Sequence, residues 1–291
     1  MSRNRDRMGI PTPQDNSTPP QVQQETAGFS FVVPTEFVEL PSGGRFYPET
    51  HPLYGQTTIE IKQMTAKEED ILTTQSYIKD GSVLDRLFQS LIVGNGEGIP
   101  IKYVDLVTGD KNAIMIAARV LGYGKDYEVE IEDPTSMGTK QKETIDLTQF
   151  ENKEYDGSQQ IELHRNEFEF TLPTSDRKVT FMAMTESRER RVKHQVKELA
   201  KANRKLKDNT SRELTTRLKN MILSVDGETD QKVINNFVDN ELFAVDSKAL
   251  RAYINEVVPD IDLTWEFVSE ETGEGRVMQL PMDVTFFWPS N

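Results

Sequence analysis

Cysteine is absent from this 291-residue chain. That absence removes disulfides, thiolate metal ligands and cysteine nucleophiles together. Histidine is scarce as well: His51, His164 and His194 are the whole supply, and no two lie at metal-ligand spacing. Each therefore reads as a solitary surface or core imidazole. Long apolar runs are missing too; the longest reach about ten residues, half of what a bilayer span needs. With no apolar stretch behind the N-terminus to act as a signal h-region, the expected address is the cytoplasm. A basic excess is likewise lacking. Lys plus Arg number 34 against 48 Asp plus Glu, a formal net charge of -14, which argues against wholesale wrapping of nucleic acid. No Gly-x-Ser-x-Gly elbow occurs. Gly94-Asn-Gly-Glu-Gly98 follows a helical pattern and has no Lys-Ser/Thr behind it, so it implies no phosphate cradle. Nothing singles out a general acid/base pair from 48 carboxylates. The expected class is non-enzymatic, with no cofactor, metal or small-molecule substrate.

What is present is an alternation of short strands and helices, expected to give an α+β fold. Residues 1–28 carry Pro11, Pro13, Pro19 and Pro20 among Gln, Asn, Ser and Thr, after a basic start at Arg3, Arg5 and Arg7. Such a stretch cannot offset its ordering entropy by burial, so it reads as a flexible arm or one ordered by a partner. Residues 29–150 form the first half. Ile59–Met64 alternates as a strand, and Thr65-Ala-Lys-Glu68 is a capping box opening a helix that stops at Gly81. Ser82 opens a second helix with the stripe Leu84, Leu87, Phe88, Leu91 and Ile92, and Asp110 caps a third over Asn112–Leu121. Tyr127–Ile131 and Thr144–Leu147 pair as strands. Residues 151–291 form the second half: strands at 168–172 and 179–183, and a long basic helix over 186–207. A helix opened by Thr210 follows, then two shorter helices (231–238 and 248–257) and closing strands 261–268 and 277–288. Ile59–Asp70 aligns with Val179–Arg190 at an offset of 120, sharing Met64/Met184, Thr65/Thr185 and Glu69/Glu189. The element order repeats with it, so the chain is expected to be internally duplicated, each half running from strands through helices to a closing hairpin.

Charge is unevenly spread. From Arg188 to Lys219 twelve Lys or Arg face four Asp or Glu, a net of +8 that leaves -22 for the rest. Val192, Val196, Leu199 and Leu206 form a narrow apolar seam interrupted by Asn203. Three readings stay open for this helix: packing on its own domain, docking onto an acidic protein or a second copy of this chain, or contact with nucleic acid, which the acidic remainder disfavours. Candidate interface residues are Arg188, Arg191, Lys197 and Arg204 on the helix. To these are added Arg45, Phe46 and Tyr47 beyond the Gly43-Gly44 turn, and Phe286, Phe287 and Trp288 on the last strand. The loop reads equally as an ordinary ordered turn, and the strand as one covered on both faces by its own domain.

Four segments carry a resemblance: Leu40-Pro-Ser-Gly-Gly-Arg-Phe-Tyr47, Met64–Leu72, Gly109–Gly124 and Phe286-Phe-Trp-Pro289. Their order and spacing resemble the baseplate-hub assembly proteins of T-even-type contractile-tailed bacteriophages, well over residues 37–150 and more loosely beyond. The resemblance implies a structural or assembly component of the tail baseplate hub, located in the virion and, during assembly, in host cytoplasm. It implies contacts with other tail proteins or itself, and no membrane. An assembly chaperone absent from the finished particle, or a nucleic-acid module using residues 188–219, are the alternatives. It further implies a Cys-Pro-x-Cys-Gly zinc knuckle after the strand ending near Ile131. Here that stretch is Asp133-Pro-Thr-Ser136-Met-Gly138, and its counterpart is Ser269-Glu-Glu-Thr272-Gly273, neither with a thiolate. Hydrogen-bonded Asx-type turns are expected in place of zinc.

Overall fold

The structure, a computed structural model, describes residues 33–136, 138–155, 157–206, 212–282 and 284–287. The arm expected over residues 1–28 lies outside them. The first half opens with strands β1 (Thr35–Glu39) and β2 (Thr58–Lys62). Helices α1 (Ala66–Thr73), α2 (Gln75–Asp80) and α3 (Val83–Leu91) lead straight into β3 (Ile92–Gly94). Helix α4 (Thr108–Tyr123) and the hairpin β4 (Asp126–Glu132) with β5 (Lys140–Asp146) close it. The second half repeats that order: β6 (Phe168–Thr171), β7 (Lys178–Phe181), α5 (Glu186–Leu206), and α6 (Glu213–Met221) running straight into β8 (Ile222–Val225). Then come α7 (Gln231–Asn236), α8 (Ala244–Val257) and the hairpin β9 (Thr264–Val268) with β10 (Gly275–Gln279).

The repeat extends to register. Both three-stranded sheets are antiparallel, in the orders β1-β2-β3 and β6-β7-β8. The pairing of the third strand slips between Glu60 and Ile61 in one and between Thr180 and Phe181 in the other, at the offset of 120. Val38 faces Ile59 as Phe170 faces Val179. Leu40-Pro41-Ser42 leaves β1 as Leu172-Pro173-Thr174 leaves β6, and each turn meets an Asp in the third position of a helix, Asp110 in α4 and Asp246 in α8.

One buried apolar cluster runs from Val38 to Phe287 through both halves. At their joint Thr108 N donates to Met184 O (2.9 Å) and Glu186 N to Leu106 O (2.9 Å). A Cβ on Gly109 would sit 2.1 Å from the Pro259 carbonyl oxygen, so only glycine lets α4 approach there.

Several sequence expectations change. The helix expected from Thr65 to Gly81 is two, α1 and α2, broken at Thr74 and ended by Gly81 with φ 78°. Asp110 does not cap α4; the helix starts two residues earlier and the carboxylate turns to the preceding loop. The strand expected over 277–288 ends at Gln279, and Val284–Phe287 is a 3-10 turn, because Pro281 interrupts the ladder and Phe286 and Phe287 both go inward. Thr210 lies outside the described residues.

Candidate interaction surfaces

The loop after β1 is built as a latch. Gly44, at φ 72°, lies where a Cβ would come within 2.5 Å of the Gln56 backbone nitrogen, so the turn folds flat against its neighbour. Asp110 accepts from Ser42 N (2.9 Å), Ser42 Oγ (2.6 Å) and Tyr47 OH (2.6 Å), all buried. Tyr47 OH also accepts from Val107 N (3.2 Å), and its ring stacks on His51 at 4.6 Å. Burial pushes the Asp110 carboxyl up to about 6 against the pull of those donors, and pushes the Tyr47 phenol up as well. Phe46 and Tyr47 are core residues, 4% and 2% exposed. Arg45 is half-buried and donates to Tyr155 O (3.1 Å). The rings of Phe46 and Tyr47 face inward. In the second half Asp246 accepts from Thr174 N (2.7 Å) and Ser175 N (3.1 Å). Burial raises its carboxyl, but those hydrogen bonds win and hold it below the usual range.

The basic helix divides along its length. Near its start the charges are consumed internally: Arg188 donates to Asn220 O (2.7 Å), and Arg190 meets Asp85 at 2.8 Å. Arg217 of α6 grips Glu189 with two bonds, at 2.6 and 3.1 Å. Val192 is buried there, while Val196 and Leu199 are half-buried. Arg191, Lys193, Lys197 and Lys201 are exposed, Lys201 pairing with Glu198 at 2.7 Å. An open groove of about 590 Å³ lies between α5, α6 and α7, with Arg191, His194 and Lys219 among its walls. The side chains of Asn203, Arg204 and Leu206 lie outside the described residues.

At the C-terminus Phe286 packs edge-on to Tyr127 (4.9 Å) and Phe287 edge-on to Phe88 (5.6 Å), both fully buried. Arg119 Nε donates to Phe286 O (3.0 Å), tying the chain end to α4. These rings stitch the end of the chain to the first half instead of forming a surface, because no strand is present to alternate them. Trp288 lies outside the described residues.

The two hairpin turns meet. Ser269 Oγ donates to Asp133 Oδ2 (2.5 Å), Thr135 Oγ1 lies 2.9 Å from Thr272 Oγ1, and Glu271 accepts from Thr139 Oγ1 (3.1 Å) and from Ser136 Oγ. Asp133 Oδ1 also takes Thr135 N (2.7 Å), an Asx turn of the expected kind. The Ser269 hydrogen bond, foremost, holds the Asp133 carboxyl below its ordinary value. Side-chain oxygens at 133, 269 and 272 thus cross-link the halves.

Sequence reasoning missed two features here. Glu68, fully buried, accepts from Lys62 (2.8 Å), Ser90 (2.7 Å) and Thr65 N and Oγ1 (3.0 and 2.6 Å). Burial raises its carboxyl, yet these donors together hold it down at about 2. The capping-box pattern pointed to Thr65, but not to Lys62 or Ser90. The second feature is an open groove of about 650 Å³ between the outer edge of β1 and α4, floored by Val38, Ile116, Ala117 and Leu147. No sequence signal marks it.

Comparison with known families supplies the decisive observation: a family described as T4 bacteriophage base plate protein matches residues 33–288. The chain belongs to that family. No curated protein and no solved structure matches.

Membership makes this a phage tail baseplate protein with a structural role. Among the described residues no helix is long and apolar enough to cross a membrane. The matched stretch includes both repeats.

Proposed function

We propose that this chain is a subunit of the hub region of the baseplate and works through protein–protein contacts. One observation carries the reading: a 21-residue basic helix, α5, paired with a nine-residue α6, keeps Arg191, Lys193, Lys197 and Lys201 exposed on a chain of net charge -14. Such a concentration of one sign on one element steers a partner of opposite sign and fixes its orientation. The chemistry it fits is an acidic surface of another tail protein, or of a second copy. Exposed Phe243 and Val245, at 55% and 64%, add apolar area of the kind contacts use. Arg191 and Lys197 are the residues on which the interface reading rests; the internally paired Arg188 supports the helix base instead.

The test is stoichiometry in gradient-purified, DNA-filled particles, by mass spectrometry against known tail proteins. A fixed whole-number ratio, lost together with infectivity in the Arg191→Glu, Lys197→Glu double variant, is the expected result. Abundance in assembling lysate with absence from particles would overturn the subunit reading in favour of an assembly chaperone. A salt-sensitive mobility shift with DNA at low salt, abolished by the same double variant, would assign the helix to nucleic acid.

A further inference from the structure

The two repeats differ in the space behind their first strands. In the second half Tyr253 of α8 stacks on Phe170 of β6, with ring centroids 4.6 Å apart and planes at 22°. That ring fills the space between the terminal strand of the sheet and the helix behind it. Asp110 and Asp246 occupy the same helical position and Val38 and Phe170 the same strand position, so the counterpart of Tyr253 is Ala117. The first half therefore carries Ala117 and Val38 where the second carries two stacked aromatics. The volume they leave is the open groove of about 650 Å³ along β1 and α4. Its floor is apolar, and its rim carries exposed Glu36, Glu39 and Glu151.

Among the described residues, no strand pairs with the far side of the strand that borders the groove. β1 is terminal in the order β1-β2-β3. Gln63 N donates to Pro34 O and Leu40 N to Thr57 O, so even-numbered residues face β2. The N–H and C=O groups of Thr35, Phe37 and Glu39 therefore point outward from the sheet edge. An edge of this kind, beside an apolar groove, is the geometry of strand addition.

We infer that the β1–α4 groove is a docking site for an extended segment of another tail protein, which adds to the edge of β1 and seats an aromatic ring against Ala117. The ring takes the place that Tyr253 fills in the second half. Lys or Arg beside that ring meets Glu36, Glu39 and Glu151. The inference rests on the baseplate reading only for the source of the segment. Ring and charge are set by the groove itself.

Two variants and one cross-link test it. Ala117→Tyr supplies the missing ring from within and leaves the rim untouched. The purified variant should melt at or above the wild-type temperature, while infectivity of phage carrying it falls at least tenfold. Glu36→Lys with Glu39→Lys, which adds nothing to the core, should give a similar fall. A photoreactive p-benzoylphenylalanine replacing exposed Thr148 on the rim should, in assembling tails, cross-link to a tail-protein peptide holding an aromatic within two residues of Lys or Arg. Ala117→Tyr should reduce that product at least fivefold. A stably folded Ala117→Tyr protein with wild-type infectivity overturns the inference, as does a cross-link confined to this same chain, its own Phe29–Val32 included. Because the cross-link is read during assembly and stoichiometry in the finished particle, loss of the subunit reading and loss of this docking site give different results.

Discussion

Replacing Asp110 with alanine removes the acceptor of three buried hydrogen bonds, from Ser42 N, Ser42 Oγ and Tyr47 OH. A buried donor left unmatched costs roughly 1–3 kcal/mol. The two hydroxyls can rotate toward other partners, so the full triple sum does not apply. Against the loss stands the cost of keeping the carboxylate charged while buried. Its pKa rises from an ordinary 3.8 to about 6, a linkage of at most ~3 kcal/mol. A folded-state pKa above the unfolded value means that the folded protein holds a proton the unfolded chain releases. The contribution is full below the unfolded value and drains away as pH rises to about 6. The Asp110→Ala variant should therefore lose about 2–4 kcal/mol at pH 7 and more at pH 5. Urea unfolding followed by circular dichroism at both pH values measures it, and the wild-type-minus-variant difference cancels the other carboxylates. A loss below ~1 kcal/mol at both pH values, or one that grows with pH, would refute the latch as described.

Glu68 should show the opposite dependence: with its carboxyl held at about 2, Glu68→Gln should cost about 1–2 kcal/mol at pH 7. That deficit should shrink as pH falls from the ordinary value of 4.5 towards 2, read by the same titration. Gly109→Ala drives a Cβ into the Pro259 carbonyl at the joint between the halves and should lower stability by about 2–3 kcal/mol, visible as a lower melting temperature. Tyr253→Ala opens in the second half the groove that the first half already has, and should cost about 2 kcal/mol in urea unfolding. Phe286→Ala removes a fully buried ring between Tyr127 and Phe287. It should cost about 3–5 kcal/mol, and limited proteolysis should then cut near the chain end first.

What was readable in the sequence follows from which interactions are local. The capping box at Thr65–Glu68, the stop at Gly81 and the alternation of Ile59 and Ile61 depend on neighbours a few residues away, and each appears where the pattern put it. The duplication was visible as three identities and a repeated order of elements, and register makes it plain, because strand slips and buried aspartates keep their geometry while their neighbours change. Failures came where distant residues decide. Asp110 has the look of a helix cap, but a loop 68 residues earlier claims its carboxylate. Phe286 and Phe287 look like a strand, but the hydrophobic gain of filling the space beside Phe88 and Tyr127 outweighs a short ladder interrupted by proline. Charge patterning found the basic helix without telling which of its arginines are bound internally, since Asp85 and Asn220 lie far away in sequence.

A duplicated fold provides its own control. Where the halves agree, as in the latched Leu-Pro turns and the sheets with their shared slip, both copies face the same internal demand and packing explains the residue. Where they part, the two copies have different surroundings. After β2 the chain makes two short helices before α3, whereas after β7 it makes one long basic helix with an exposed cationic face before α6. Behind β6 the space is closed by Tyr253, whereas behind β1 it is left open beside three carboxylates. Each divergence gives one half a surface that the other lacks, and the two surfaces are opposite in sign. The two proposals together describe a subunit with two different neighbours, an acidic one on α5 and a basic, ring-bearing one on β1. Reversing charge on one surface should then release one neighbour and leave the other bound.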